Sequence, residues 1–140
     1  MTARPHLGPF RLDELLGQGG MGQVWAARHA AEAWPVAIKV ITADISRQPG
    51  YQRAFRREVR AVARLDHPGI VRVHDFGQIA DEAPAPLPAG SPFLVMDRLD
   101  GGALSPDLPG LDWPGLRAAV MDLLDALGHA HARGVIHRDL

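Results

Sequence analysis

Gly17, Gly19 and Gly22 stand at the G-x-G-x-x-G spacing inside Leu16-Gly17-Gln18-Gly19-Gly20-Met21-Gly22-Gln23-Val24. Glycine lets a backbone turn tightly and approach a ligand, because no Cβ intervenes. A run of backbone N–H groups in such a turn attracts phosphate. The spacing alone is a weak signal: it also opens dinucleotide-binding domains, and many glycine-rich turns bind nothing. A dinucleotide site needs strand, glycines, then helix. Here the glycines run into Gln23 to His29, which mixes β-branched, aromatic and polar residues and reads as a second strand. A P-loop would close with Gly-Lys-Ser/Thr, and Gly22 is followed by Gln23. Strand, glycine loop, strand makes a hairpin able to fold over phosphates as a lid.

The second chemical group is an amine. Of 15 basic residues, 14 are arginine, and the exception is Lys39. It closes Val36-Ala37-Ile38-Lys39. A lysine ammonium is a compact point charge that reaches phosphate oxygens where the broad guanidinium of arginine fits poorly. Period-2 alternation puts Val36 and Ile38 on one face of that strand, and Ala37 with Lys39 on the other. The bland alternative is a surface lysine at a strand end.

The third group is a carboxylate. Tyr51 to Leu65 reads as a helix. At about 100° per residue, Phe55, Val59 and Val62 define a narrow apolar face. Arg53, Arg56, Arg57, Arg60 and Arg64 fall opposite and read as a solvated face. Glu58 sits at the edge of the apolar face. An acid facing a core is costly unless paired, and Lys39 is the natural partner. The alternative is a flank residue bending to solvent. The fourth group is the polar run His137-Arg138-Asp139-Leu140 at the end of the sequence.

Taken in order, the glycine loop, Val-Ala-Ile-Lys, the inward Glu and His-Arg-Asp-Leu resemble the signature set of the protein kinases, particularly the bacterial serine/threonine type. The resemblance runs from Phe10 to Leu140. It implies that ATP lies against Leu16 to Val24, with Ala37 and Val24 on adenine and Lys39 on the α- and β-phosphates. It makes Met96 the gatekeeper behind adenine. Asp97 to Leu99 become a hinge, offering a C=O at Asp97 and an N–H at Leu99. Glu58 would orient Lys39. Asp139 would accept or orient the proton of a substrate hydroxyl during γ-phosphoryl transfer, a role typically worth ~10²–10⁴ in rate. Arg138 would pair with a phosphorylated activation segment, and His67, in a His-Pro turn, would be structural.

Those residues need elements to hold them. Phe10 to Leu16 reads as the first strand, Gln23 to His29 as the second and Trp34 to Thr42 as the third. Ile70 to Gln78 reads as the fourth and Phe93 to Met96 as the fifth. Asp81 to Pro92, rich in Ala and Pro, reads as an exposed, mobile connection. Asp112 reads as the N-cap of a long helix from about Trp113 to Arg133, which Gly134 ends. The apolar residues of that helix spread around much of its circumference, as in a buried helix. His129 and His131 lie on it with no acid or cysteine completing a metal site.

The expected fold is α+β: a protein-kinase-like N-lobe of five antiparallel strands plus one helix, then a hinge and the first long helix of an incomplete helical C-lobe. Residues 1–9 read as a leader with little structure, 10–96 as the N-lobe, 97–102 as the hinge and 103–140 as the start of the C-lobe. Net charge is −1, which does not point to nucleic acid or an anionic membrane. No cysteine is present, so disulfides and thiolate metal sites are excluded. No apolar run nears the ~20 residues of a membrane span, and the simplest location is cytoplasmic.

The expected cofactors are ATP and Mg²⁺, and the expected partner is a protein with a Ser/Thr acceptor. In the family the metal-holding Asn and the metal-holding Asp-Phe-Gly both follow His-Arg-Asp, so these ligands are expected beyond Leu140. These residues alone are therefore expected not to catalyse. A non-catalytic nucleotide-binding or interaction module derived from a kinase stays open, as does a small-molecule kinase.

Overall fold

The computed structural model describes residues 4–83 and 87–137. Its strands are β1 (His6–Leu7), β2 (Phe10–Gln18), β3 (Gly22–His29), β4 (Pro35–Ile41), β5 (Val73–Gln78) and β6 (Pro92–Asp97). Its α-helices are α1 (Pro49–Ala63) and α2 (Trp113–Ala132), and a 3-10 turn spans Asp44–Arg47. The strands pair antiparallel in one sheet, in the order β1-β2-β3-β4-β6-β5.

The sheet has six strands rather than the expected five, because the leader is not idle. Leu7 pairs with Phe10 and His6 with Arg11. Gly8 at φ 56° supplies the left-handed position of this tight turn, and Pro9 brings its fixed φ. Leu7 is thereby buried against Phe10 and Leu12 in the main core. Helix α1 begins at Pro49 rather than Tyr51. Proline suits the first helical position, where its missing N–H leaves no bond unmade.

Alternation decides which face of the sheet closes. Val36, Ile38 and Val40 of β4 and Val95 of β6 are wholly buried. They meet Leu7, Phe10, Leu12 and Ala27 from the other strands. The Pro-rich connection, expected to be exposed and mobile, completes this core. Ile79 and Leu87 are buried in it, Ala83 packs against it and Ser91 has no exposed surface. Its apolar side chains have a sheet face to cover, and prolines lower the entropy lost in ordering it.

Helix α1 is held more lightly, on the other face. Val59 is its one buried residue among those described, with Phe55 and Val62 half-buried. Helix α2 starts as expected: the Asp112 side chain accepts from the Gly115 N–H at 2.9 Å. It ends with paired bonds, Gly134 N–H to His131 and Val135 N–H to Ala130, with Gly134 at φ 76°. That is the Schellman pattern, and it satisfies two carbonyls the helix would otherwise leave open.

Candidate active site

Register assembles the site. Directly opposed residues of an antiparallel pair share a face. One row across the sheet reads Gly17, Val24, Lys39, Leu94, and the next reads Ala26, Ala37, Met96, Val73. Val24, Ala37, Lys39 and Met96 are thus on one face, opposite the core face of Val36 and Ile38. Lys39 is exposed at its strand position and Ala37 is buried beside it.

The glycine loop is the tip of the β2–β3 hairpin, closed by Gly19 N–H to Gly22 C=O at 2.9 Å and the reciprocal bond at 3.3 Å. A Cβ on Gly22 would stand 2.0 Å from the Val40 carbonyl oxygen. Gly22 is therefore glycine for packing. Gly17, Gly19 and Gly20 have open space where a Cβ would go, and none has a positive φ. The fold does not require glycine at these three positions.

Gln18 and Gln23 pair at the mouth of the hairpin, and Met21 stands 61% exposed at its tip. Leu16 falls at a register shift between Leu15 and Gly17 and is half exposed. Such a bulge increases local twist and bends the strand.

Behind Lys39 lies a cavity of about 580 Å³ between the sheet, α1 and α2. Lys39, Glu58 and His137 bring polar groups to it from three parts of the chain, and its other walls are largely apolar, including Val59, Val62, Met96 and Leu127. Lys39 and Glu58 thus share one cavity. The ion pairs within the described residues do not include one between them, and Glu58 is engaged by an interaction of its own. Both positions are exposed, and solvated ion pairs contribute little. Arg138 and Asp139 lie outside the described residues.

The end of β6 is secured from behind. Asp97 accepts the Arg72 backbone N–H at 3.2 Å and contacts His74 Nε2 at 2.6 Å. Burial alone would raise its carboxyl. The His74 hydrogen bond, the Arg72 backbone bond and the charges of both residues outweigh burial and hold it below the usual carboxylate value. Leu99, two residues on, is 74% exposed. Asp100 pairs with Arg98 at 2.8 Å.

A second tie joins the sheet side to α2. His67 Nδ1 accepts the Gly69 N–H at 2.9 Å. A neutral imidazole accepting there carries its proton on Nε2, which faces Asp125 Oδ2 at 2.8 Å. His129 of α2 lies against His67, ring centroids 5.1 Å apart. Desolvation first, then the charge of Arg133, pushes His129 below the ordinary imidazole value. His129 is thus a packed helix residue. Among the described residues no three His, Asp or Glu side chains gather to hold a metal.

Reading motifs missed three partners. His74 and Asp125 sit far in sequence from Asp97 and His67, with no spacing to betray them. Gln52 carried a signal that went unread: it lies seven residues before Val59, on the apolar face of α1.

Comparison with known proteins agrees with this architecture. Residues 10–140 match the protein kinase domain family. Serine/threonine-protein kinase PknH of Mycobacterium bovis is 38% identical over 136 residues, covering 95% of this chain and 21% of that protein. Serine/threonine-protein kinase PknB of Mycobacterium leprae is 39% identical over 145 residues, covering 100% of this chain and 22% of that protein. The crystal structure of the Mycobacterium tuberculosis PknI kinase domain superposes with a TM-score of 0.78 at 29% identity, covering 100% of this chain and 54% of that one. The chain belongs to the protein kinase family. It spans about a fifth of the length of these curated relatives. No helix of the described residues is long and apolar enough to cross a membrane.

Proposed function

We propose that this chain is the nucleotide-binding part of a serine/threonine protein kinase, which transfers the γ-phosphoryl of ATP to a hydroxyl of a protein substrate. The observation that carries this reading is the row Gly17, Val24, Lys39 beside glycines that the fold does not need. Open backbone at Gly17, Gly19 and Gly20 lets N–H groups reach phosphate oxygens. Lys39, exposed and opposite Val24, supplies the cation for the α- and β-phosphates. Ala37 and Val24 form the apolar surface that adenine covers, with Met96 behind and Asp97 to Leu99 as the hinge. Glu58 lines the same cavity as Lys39 and orients it once nucleotide excludes water, where an ion pair gains strength. Asp139 acts on the acceptor hydroxyl in this reading.

Mg²⁺ neutralises charge developing on the transferred phosphate. The described residues supply no cluster of ligands for it. The residues that would hold it belong to the remainder of a kinase domain.

Lys39 is the single lysine of the 140 residues, so labelling within this stretch reads out at one residue. In the intact protein, an ATP-directed acylating probe labels Lys39, and excess ATP blocks the labelling. Lys39→Met abolishes phosphoryl transfer to a protein substrate. Labelling indifferent to ATP rejects the nucleotide site. ATP-protected labelling with no transfer in the intact protein leaves a non-catalytic nucleotide-binding module.

A further inference from the structure

Helix α1 carries Glu58 but has few holds on the sheet. Its N-cap residue Gln48 makes no side-chain cap bond, and its first turn has no acid. Gln52 compensates. Its Nε2 donates to the Ser46 carbonyl at 2.9 Å and to the Gly90 carbonyl at 3.1 Å. Ser46 is fully buried, and its Oγ donates to the Ile41 carbonyl at the end of β4, two residues from Lys39. Gly90 sits in the β5–β6 connection and also receives Gln78 Nε2 at 3.0 Å. Among the described residues, no other side chain of Pro49–Phe55 makes a hydrogen bond to the sheet or its connections.

We propose that Gln52 is a positioning residue: it sets the roll of α1 against β4, and with it the direction of Glu58 relative to Lys39. Gln52 and Val59 are seven residues apart, which brings them to within about 20° on one helix face. Val59, with half-buried Phe55 and Val62, holds this face by non-directional packing, and the two Gln52 hydrogen bonds add a directional tie that resists roll. Glu58 projects about 100° away from Val59. A roll of about 20° would carry a side-chain end 5–6 Å from the axis through about 2 Å. Misplacement of about 1 Å can cost about 10²-fold in rate. The Ser46 link ties that roll to the strand bearing Lys39. The Gly90 link ties it to the β5–β6 connection.

The catalytic readout rests on the kinase reading above, and the structural readout does not. In the intact protein, Gln52→Met keeps the stem and loses both donors. Gln52→Glu keeps the shape and turns a carboxylate on two carbonyl oxygens. Gln78→Leu removes the other donor to Gly90 without touching α1. Spin labels on cysteines introduced at Glu14 and Arg53, among 140 residues that contain no cysteine, report the distance from α1 to the sheet.

The expected result is a shifted or broadened distance in Gln52→Met and more so in Gln52→Glu, with Gln78→Leu unchanged. With it comes a loss of about ten- to a hundredfold in kcat, with KM for ATP moving far less. An unchanged distance in both Gln52 variants overturns the proposal. So does a Gln78→Leu variant that loses kcat as fully as Gln52→Met, since the effect would then belong to the connection and not to α1. If the unaltered protein transfers no phosphate but the distances shift as described, the kinase reading fails and the positioning role stands.

Discussion

The curled sheet and helix α2 have comparable shares of apolar side chains and opposite fates. In the sheet, Leu12, Val36, Ile38, Val40 and Val95 are at or near zero exposure. In α2, Trp113 is 72% exposed, Leu124 56% and Met121 53%, while only Ala126 and Ala130 are buried. The sheet is closed by its own chain: β1 folds back on β2, and the Pro-rich connection covers one face. Helix α2 is instead stopped cleanly at both ends and tied through His67 and Asp125, with most of its apolar surface open. Secondary structure and burial are therefore separable. Local signals define α2 fully, but burial needs partners that its neighbours here do not provide. Apolar surface of this extent marks a site of further contact.

The sharpest way to break this contrast is a pair of truncations. Ile38→Ala leaves a cavity in the sheet core and should cost about 2–5 kcal/mol. Leu124→Ala removes a side chain already half in water and should stay within about 0.5 kcal/mol. Denaturant melts of the two variants decide it. Equal losses would mean that α2 is packed as tightly as the sheet. Hydrogen exchange gives the same test without mutation. Amides of Val36 to Val40 should be protected most, and those of Pro114 to Leu127 least, since local opening is easiest where few apolar contacts hold.

Next in size is a contrast within the glycine loop. Gly22→Ala drives a methyl into the Val40 carbonyl and should destabilise by about 1–3 kcal/mol, as overpacking does. Gly19→Ala meets nothing within 4 Å. Its melting temperature should be unchanged while nucleotide affinity falls. If both variants melt alike, the division between a packing glycine and ligand-facing glycines is wrong.

Smaller again is the start of α2. Asp112→Ala loses the bond to the Gly115 N–H and should cost about 0.5–2 kcal/mol of helix stability. Exchange should quicken in the first turns of α2 and stay unchanged in β4.

The smallest effect lies at Asp97, where β6 ends. The Asp97 carboxyl is held below its usual value by His74 and Arg72, against the opposing effect of burial. A depressed carboxylate binds fewer protons folded than unfolded. Its stabilisation is full above the ordinary value of about 4 and is lost as pH falls through the depressed one. Asp97→Asn should flatten that part of the acid limb in a pH series of thermal melts. An unaltered limb would show that Asp97 contributes no linkage.

What the sequence determined by itself is local and chemical. Alternation in Val36-Ala37-Ile38-Lys39 put Lys39 and Ala37 on one face, because side chains of a strand alternate whatever the strand packs against. Asp112 and Gly134 marked the ends of α2, because caps are satisfied within a few residues. Four motifs in order made the family legible. Distance in the chain hid the rest. Leu7 in the core, the Pro-rich connection over the sheet, and the His74–Asp97 and His67–Asp125 contacts join residues whose meeting depends on how the sheet curls. Nothing in local spacing reports that curl. Gln52 shows the boundary: its place on the apolar face of α1 was visible on a helical wheel, but its two carbonyl partners come from separate connections that only tertiary packing brings together.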